Sequence, residues 1–199
     1  MTGPLLVLIG FLAGAIPFGY LAGRSLQGID LRNVGSGGTG ATNVLRTLGK
    51  KASAAVLILD FLKGMLPVLA AQWLGFGEWL VAAVAVATVV GHCWSPFIGL
   101  KGGKGVATGG GAAIALFPPV LLVVPVILLI IWRSCYVSLG SLIGAGVAVG
   151  LAAAFALAGQ LPWASVVAIA GITAIIVFRH RENIDRLRRG SERKLGQKV

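Results

Sequence analysis

Four short polar stretches hold most of the side chains that could grip an anion, in a chain that is otherwise largely apolar. The first runs Val34-Gly35-Ser36-Gly37-Gly38-Thr39-Gly40-Ala41-Thr42-Asn43 and continues to Arg46. Its glycines let backbone N–H groups close around a negative charge, and hydroxyls at 36, 39 and 42 add donors. A short helix is expected to follow, stopped by Gly49, with Asn43 and Arg46 one turn apart on one face. Ser36, Gly37, Gly40, Thr42, Asn43 and Arg46 are therefore candidate anion contacts. The run fits G-x-G-x-x-G, but no strand precedes it and no βαβ unit surrounds it, so a dinucleotide site is not expected. It also lacks the Lys-Ser/Thr ending of a P-loop. The plain alternative is a flexible membrane loop.

The second stretch is Lys101-Gly102-Gly103-Lys104-Gly105, leading into an apolar helix. Glycine N–H groups, the helix start and the Lys104 point charge could together receive a phosphate. The alternative is ordinary basic flanking of a span. The third is Arg179-His180-Arg181-Glu182-Asn183-Ile184-Asp185-Arg186. On a continuing helix, His180 and Asn183 share one side. His180 and Asp185 also fit a His-x4-Asp acyltransferase signature, which any short basic tail can mimic. The arginines from 186 onward read as a membrane-surface anchor, and the last dozen residues as loosely ordered. The fourth is Ser138 and Ser141. Mid-helix serines usually bond their own backbone; if one meets a ligand, the deeper Ser141 is preferred.

These stretches must be positioned by a membrane bundle. Of 199 residues, 57% are hydrophobic and 12% charged, with a mean hydropathy of +0.92. A soluble domain is about a quarter charged. The net charge of +11 is clustered: five of the 17 Lys and Arg lie between Arg24 and Lys51, and eight between Arg179 and Lys198. Such clusters beside apolar spans suit anionic lipid, not nucleic acid. Cys93 and Cys135 have no metal-type spacing, and reduced thiols are expected. Ala13-Gly14-Ala15 imitates a signal-peptidase site, but no basic n-region precedes it, so a first membrane helix is expected.

Apolar spans are expected at 4–23, 53–74, 79–98, 137–158 and 162–178. The stretch 106–132 would be roughly 40 Å as one helix, and Pro118-Pro119 interrupts it. If it crossed once, the basic clusters would lie on opposite sides; folded back as 106–117 and 120–132, it puts them all on one side. The positive-inside rule selects the second. The expected fold is thus an all-α integral membrane bundle of seven segments in one domain over 1–199. Its N-terminus lies outside and its basic tail, 179–199, in the cytosol, with a short hairpin broken at Pro118-Pro119. That hairpin either crosses twice or is re-entrant. Close helix packing is expected at Gly109-Gly110-Gly111 and at Gly140, Gly144, Gly146 and Gly150. Asp60 and Lys63, one turn apart inside a span, read as a mutually neutralised scaffold pair, and His92 as a bonded core histidine.

The stretches DLRNVGSGGTGATNVLRTLGKK, LDFLKGMLP, GHCWSPF, KGGKGVAT, YVSL and RHRENIDR, taken in order, resemble the acyl-phosphate-dependent glycerol-3-phosphate acyltransferases of bacterial membranes. Asp185 departs from the polar uncharged residue expected there. The resemblance implies a multi-pass inner-membrane enzyme of phospholipid synthesis with its site facing the cytosol. It implies acyl phosphate and glycerol 3-phosphate as substrates and lysophosphatidate as product, with membrane lipid around it. Neither cofactor nor metal is implied. Oligomeric state stays open, a monomer included. Catalytic roles would fall to His180, Asn183, Lys104 and Arg46. Substrate phosphates would be held by Ser36, Gly37, Gly40, Thr42, Asn43, Arg46, Gly102, Gly103, Lys104, Gly105 and Ser141. His180 is one candidate base and the substrate phosphate the other, with the phosphate preferred. The rival readings are a transporter of phosphate or small organic anions, and a lipid-binding scaffold.

Overall fold

Proline 17 shapes the first apolar stretch. In the computed structural model, which describes residues 2–197, this stretch is two helices, α1 (Gly3–Ala15) and α2 (Phe18–Gln27), instead of one. Proline has no N–H to continue the ladder, and its ring collides with the carbonyl one turn back. The break leaves carbonyls inside an apolar bundle, where each unsatisfied group is costly. Ser95 Oγ donates to the Ala15 carbonyl at 2.6 Å, and Lys63 Nζ to the Ile16 carbonyl at 2.7 Å. Lys63 also pairs with Asp60 at 2.6 Å, both side chains being almost fully buried. This ion pair therefore works as a plug for a broken helix.

The chain continues through α3 (Ala41–Leu48), α4 (Lys50–Trp73), α5 (Glu78–Cys93), α6 (Val106–Leu116), α7 (Val123–Ser134), α8 (Val137–Leu157), α9 (Trp163–Arg179) and α10 (Arg181–Arg188). Gly49, at φ +87°, ends α3 as the sequence suggests. Helices occupy all seven apolar stretches read from the sequence. Among the described residues, four units are long and apolar enough to cross a membrane: joined α1–α2, α4, α5 with the turn after it, and α8. Counting the bent pair of α9 and α10 as one unit gives a fifth, whose apolar part is α9. The protein is thus an all-helical, multi-pass membrane protein.

The arms α6 and α7 are shorter, separated by the 3-10 turn Pro118–Leu122. Lys104, just before α6, donates to Asn183 at the end of the chain. Cys135, just after α7, accepts from the backbone N–H of Leu195 in the same terminal region. So the chain leaves one end of the bundle at 104 and is back there by 135. It turns at the two prolines.

Glycines set the closest helix crossings. A Cβ on Gly14 would sit 1.9 Å from the Thr88 carbonyl oxygen, and one on Gly64 would sit 2.0 Å from that of Thr108. Gly91 and Gly111 meet α1 and α4 in the same way. Only Gly111 of these four was expected; Gly140 and Gly144 do pack against Ile127, but Gly110, Gly146 and Gly150 face open space. The core lies where α4, α5, α6 and α9 meet, around Val68, Val84, Val89, Ala112 and Ile172. Exposed Trp73, Trp79 and Trp163 ring the far end of the bundle, and Phe97, Trp132 and Phe178 the polar end, as aromatic side chains do at lipid–water boundaries.

Replacing Lys63 by Met leaves Asp60 buried and unpaired, which costs about 3–5 kcal/mol. The thermal midpoint in detergent should fall sharply for Lys63→Met and recover in part when Asp60→Asn is added. Equal midpoints for the two variants would contradict the plug.

Candidate functional site

The glycine loop is held by one side chain. The Asn43 carboxamide donates from Nδ2 to the carbonyls of Leu31, Val34 and Gly38 at 3.1, 3.0 and 2.9 Å. Its Oδ1 accepts the Ser36 N–H at 3.0 Å. Asn43 is buried, and these bonds take up its hydrogens, so it shapes the loop from beneath. Gly35, at φ +65°, has no room for a Cβ, which would lie 2.2 Å from Asn43 Oδ1. Gly19 plays the reciprocal part below, where a Cβ would strike the Thr39 carbonyl at 1.8 Å. Ser36, Gly40 and Thr42 are half-buried and Gly37 is exposed at the lip.

The turn before α6 is built differently from expectation. The N–H groups of Gly102 and Gly103 do not face outward; they donate to the carbonyls of Cys93 and His92 at 3.2 and 3.1 Å. Their own carbonyls accept from Arg179 at 3.0 Å each. A Cβ on Gly103 would lie 2.2 Å from His92 Nε2. The two glycines therefore clamp the turn between α5 and α9, and Gly105, at φ +81°, starts α6. What this clamp delivers is Lys104. Its ammonium donates to Asn183 Oδ1 at 2.5 Å.

His180 and Asn183 are both buried, but the helix does not continue through them. The chain bends by 60° between α9 and α10, with His180 at the corner. His180 Nδ1 lies 2.8 Å from the Ile176 carbonyl. A carbonyl only accepts, so Nδ1 carries the hydrogen and Nε2 presents its lone pair. Burial, with the neighbouring Lys104 and Arg179 charges, pulls the His180 pKa down to about 4 despite the Ile176 bond. The ring is neutral at pH 7. Asp185 turns outward to Arg189 at 3.0 Å, so the His-x4-Asp resemblance has no spatial counterpart.

Burial likewise lowers the Lys104 pKa to about 8, partly countered by Glu192 and Glu182 and reinforced by Arg186 and Arg46. Arg46 reaches the same charges from α3, and its pKa too is lowered, chiefly by burial. Its Nε is buried without a hydrogen-bond partner, and one terminal nitrogen makes only a 3.4 Å contact to the Arg193 carbonyl. Ser141 donates back to the Val137 carbonyl at 2.9 Å. It is Ser138, one turn nearer the rim, that points to the cluster, donating to Glu192 at 2.9 Å.

Glu192 corrects the expectation of a loose tail. Its side chain is 6% exposed and lies among Ser138, Asn183 and Arg186. Sequence reading missed it. The available signal was that it is the one acidic residue after Asp185 in a basic tail. Lys198 lies outside the described residues.

The structure thus brings Lys104, Asn183, His180 and Arg46 together, with Ser141 one turn away. The glycine loop borders them instead of bonding them. Arg32 ties it to the turn before α6 through the Ile98 carbonyl at 2.8 Å, and also holds the Asp30 carboxyl down to about 2. A cleft of about 410 Å³ opens there, lined by Arg32, Gly37, Lys101, Gly102 and Arg179. No group of three or more metal-ligating side chains occurs among the described residues.

Asn43→Ala removes four hydrogen bonds from beneath the loop. Hydrogen exchange should quicken at residues 34–40 and stay slow in α5 and α9, with a stability loss of about 1–3 kcal/mol. An unchanged loop would mean that Asn43 does not hold it.

The family model described as glycerol-3-phosphate acyltransferase matches residues 4–190. A glycerol-3-phosphate acyltransferase of Rubrobacter xylanophilus is 48% identical over 198 residues, covering 98% of this chain and 96% of its own. One of an Anaeromyxobacter species is 45% identical over 202 residues, covering 98% and 97%. Two crystal structures of PlsY (YgiH), an integral membrane glycerol 3-phosphate acyltransferase, are also similar. The glycerol 3-phosphate form superposes with a TM-score of 0.91 at 43% identity, and the lysophosphatidic acid form with 0.88 at 41%. Each comparison covers 98% of this chain and 96% of that one.

Proposed function

The chain belongs to the glycerol-3-phosphate acyltransferase family, and on that footing we propose that it moves a fatty acyl group from acyl phosphate to the 1-hydroxyl of glycerol 3-phosphate. The products are lysophosphatidate and phosphate. The enzyme sits in the bacterial inner membrane as one domain of seven crossing segments, N-terminus outside and C-terminus in the cytosol. Its site opens to the cytosol. What supports the sidedness is that the basic loops gather at one end with the candidate site, while the far end carries apolar turns and Glu78. The shortness of α6 and α7 is accommodated by local thinning of the bilayer.

The observation that carries the reading is the cationic cluster of Lys104, Arg46 and Arg186 beside Asn183 and neutral His180. Acyl phosphate is a mixed anhydride, so the acyl group arrives activated. The glycerol oxygen attacks the acyl carbon, the carbon–oxygen bond to phosphate breaks, and phosphate departs as the ester forms. Alignment can supply about 7–11 kcal/mol of the barrier, and cations aimed at the leaving phosphate lower it further.

In this assignment Lys104 and Arg46 hold phosphate groups, and Asn183 and His180 orient glycerol 3-phosphate, with Ser141, whose hydrogen goes to Val137, offering only an acceptor one turn deeper. Ser36, Gly37, Gly40 and Thr42 form the lip of the anion cradle. Asn43 shapes that cradle, and Gly102, Gly103 and Gly105 aim Lys104 into it. The hydroxyl proton passes to a phosphate oxygen. The neutral tautomer of His180 exposes Nε2 as an acceptor, but a pKa of about 4 makes it a weak base, whereas a phosphate monoester titrates near 6.

The experiment is an assay of the purified chain in lipid with labelled glycerol 3-phosphate and acyl phosphate, acyl-CoA or acyl carrier protein in turn. Lysophosphatidate should form with acyl phosphate. Uptake of label into vesicles without any lipid product would support transport instead. Lys104→Ala and Arg46→Ala should each lower kcat/KM about 10–100-fold, as expected from losing a charge-assisted hydrogen bond.

The pH profile follows from the same groups. Lys104 must be charged to hold an anion, so kcat/KM should hold from about pH 6 to about pH 8 and fall as pH rises through 8. His180 is already neutral through that range and titrates near 4. His180→Ala should therefore keep the acid limb near pH 6 that belongs to the substrate phosphate. Loss of that limb would make His180 the base.

A further inference from the structure

The tail reaches the cluster by a short return path. Gly190, at φ +68°, turns the chain after α10, and the Ser191 N–H bonds the Arg186 carbonyl at 2.9 Å. The Leu195 N–H then bonds the Cys135 carbonyl at 2.7 Å, anchoring the tail near the start of α8. Between these two anchors the Glu192 carboxylate points inward. Oε1 accepts from Asn183 Nδ2 at 2.6 Å and from Ser138 Oγ at 2.9 Å, and Oε2 from Arg186 Nε at 2.8 Å. One carboxylate joins α8, α10 and the tail.

The chemistry of the Asn183 carboxamide gives this contact its meaning. An amide can present either its oxygen or its nitrogen to a neighbour, and the two ends differ little in shape. Here the neighbours leave no choice. An ammonium can only donate and a carboxylate can only accept. Glu192 takes an amide hydrogen, so the amide oxygen faces Lys104, which donates to it. With Glu192 absent, the amide nitrogen could turn towards Lys104 and present hydrogens to an ammonium that offers only hydrogens. Its hold on Lys104 would then be lost.

We propose that Glu192 is a positioning residue of the acyl-transfer site, fixing the Asn183 carboxamide so that its oxygen holds the Lys104 ammonium against the phosphorylated substrate. This rests on the reading that Lys104 and Asn183 face glycerol 3-phosphate. Glu192 also balances charge. Lys104 is faced by Arg46 from α3, by Glu182 and Arg186 from α10, by His180 from the end of α9, and by Glu192 from the tail, with Arg179 beside His180. Glu192 is the leading contribution on the side of the ammonium.

Four variants in lipid test the proposal: Glu192→Ala, Glu192→Gln, Asn183→Ala and the double variant Glu192→Ala/Asn183→Ala. Glu192→Ala should raise KM for glycerol 3-phosphate about tenfold. Glu192→Gln keeps the shape and an acceptor for Asn183 but removes the charge. It should raise KM less, keep the thermal midpoint, and move the basic limb of kcat/KM to lower pH, since Lys104 then loses its proton more readily. The double variant should be no worse than Asn183→Ala alone, because Glu192 acts through Asn183.

A lower KM in Glu192→Ala would overturn the proposal, showing that the carboxylate merely occupies the place of a phosphate. Unchanged KM together with an unmoved basic limb in Glu192→Gln would overturn it too, leaving the tail a structural strap. Normal rates in Lys104→Ala and Asn183→Ala would instead sink the site reading on which the proposal rests.

Discussion

Lys104 carries its charge at the rim of an apolar bundle, and burial alone works against that charge, drawing its pKa down to about 8. Two neighbouring guanidiniums, Arg46 and Arg186, work against it as well. Clustered cations of this kind repel one another strongly where water is scarce. The cluster is tenable because the Asn183 oxygen and the Glu192 carboxylate stand among the cations. A doubly negative substrate would complete the same balance more fully. A rim site that is to bind phosphate is thus never neutral by itself, and its polar surroundings have to hold it together between turnovers.

The same constraint governs the backbone around it. The turn before α6 has no regular structure, yet its N–H groups bond the end of α5 and its carbonyls bond Arg179. The glycine loop has no regular structure either, and Asn43 supplies four bonds from within. Irregular backbone at membrane depth is tolerated only when protein satisfies it. The Ile16 and Ala15 carbonyls, met by Lys63 and Ser95, obey the same rule in the interior. Rigidity in these loops comes from side chains that bond main chain across the bundle. That rigidity lets a loop aim a lysine.

Much of this was legible in the sequence. The apolar runs and the two prolines at 118 and 119 announce seven helical stretches and a return between 104 and 135. Positive clustering puts Arg46, Lys104 and His180 at one end, where the structure has them. Other features were not legible, for physical reasons. Asn43 reads as a ligand because its residue type suits one, but its partners are main-chain atoms that no residue type reveals. Gly102 and Gly103 suggest an open N–H cradle, yet the end of α5 has unbonded carbonyls and takes those hydrogens first. The bend at His180 and the inward Glu192 depend on contacts across the bundle, such as Ser138 with Glu192. A basic tail rich in polar residues looks solvated until a buried cation cluster needs its one carboxylate. The break at Pro17 could have been foreseen from proline chemistry alone, but hydropathy averaged over the run conceals it.

Placement at one rim also fits the two phases that the proposed substrates occupy. Glycerol 3-phosphate is wholly polar and acyl phosphate carries a long apolar chain, so only a boundary presents both without dragging one through the other's medium. A transporter would need its charges spread through the depth of the bundle. Here the deep charged pair, Asp60 with Lys63, is committed to a broken helix, and the remaining cations among the described residues stand at one end. The glycine-mediated crossings of α1 with α5 and of α4 with α6 bring backbones into direct contact. Backbones in direct contact leave no polar passage along those two seams. An apolar-tailed product formed at such a rim can leave into the bilayer directly, with no path through the protein. The architecture therefore suits chemistry between a dissolved and a membrane-bound reactant better than passage of either one.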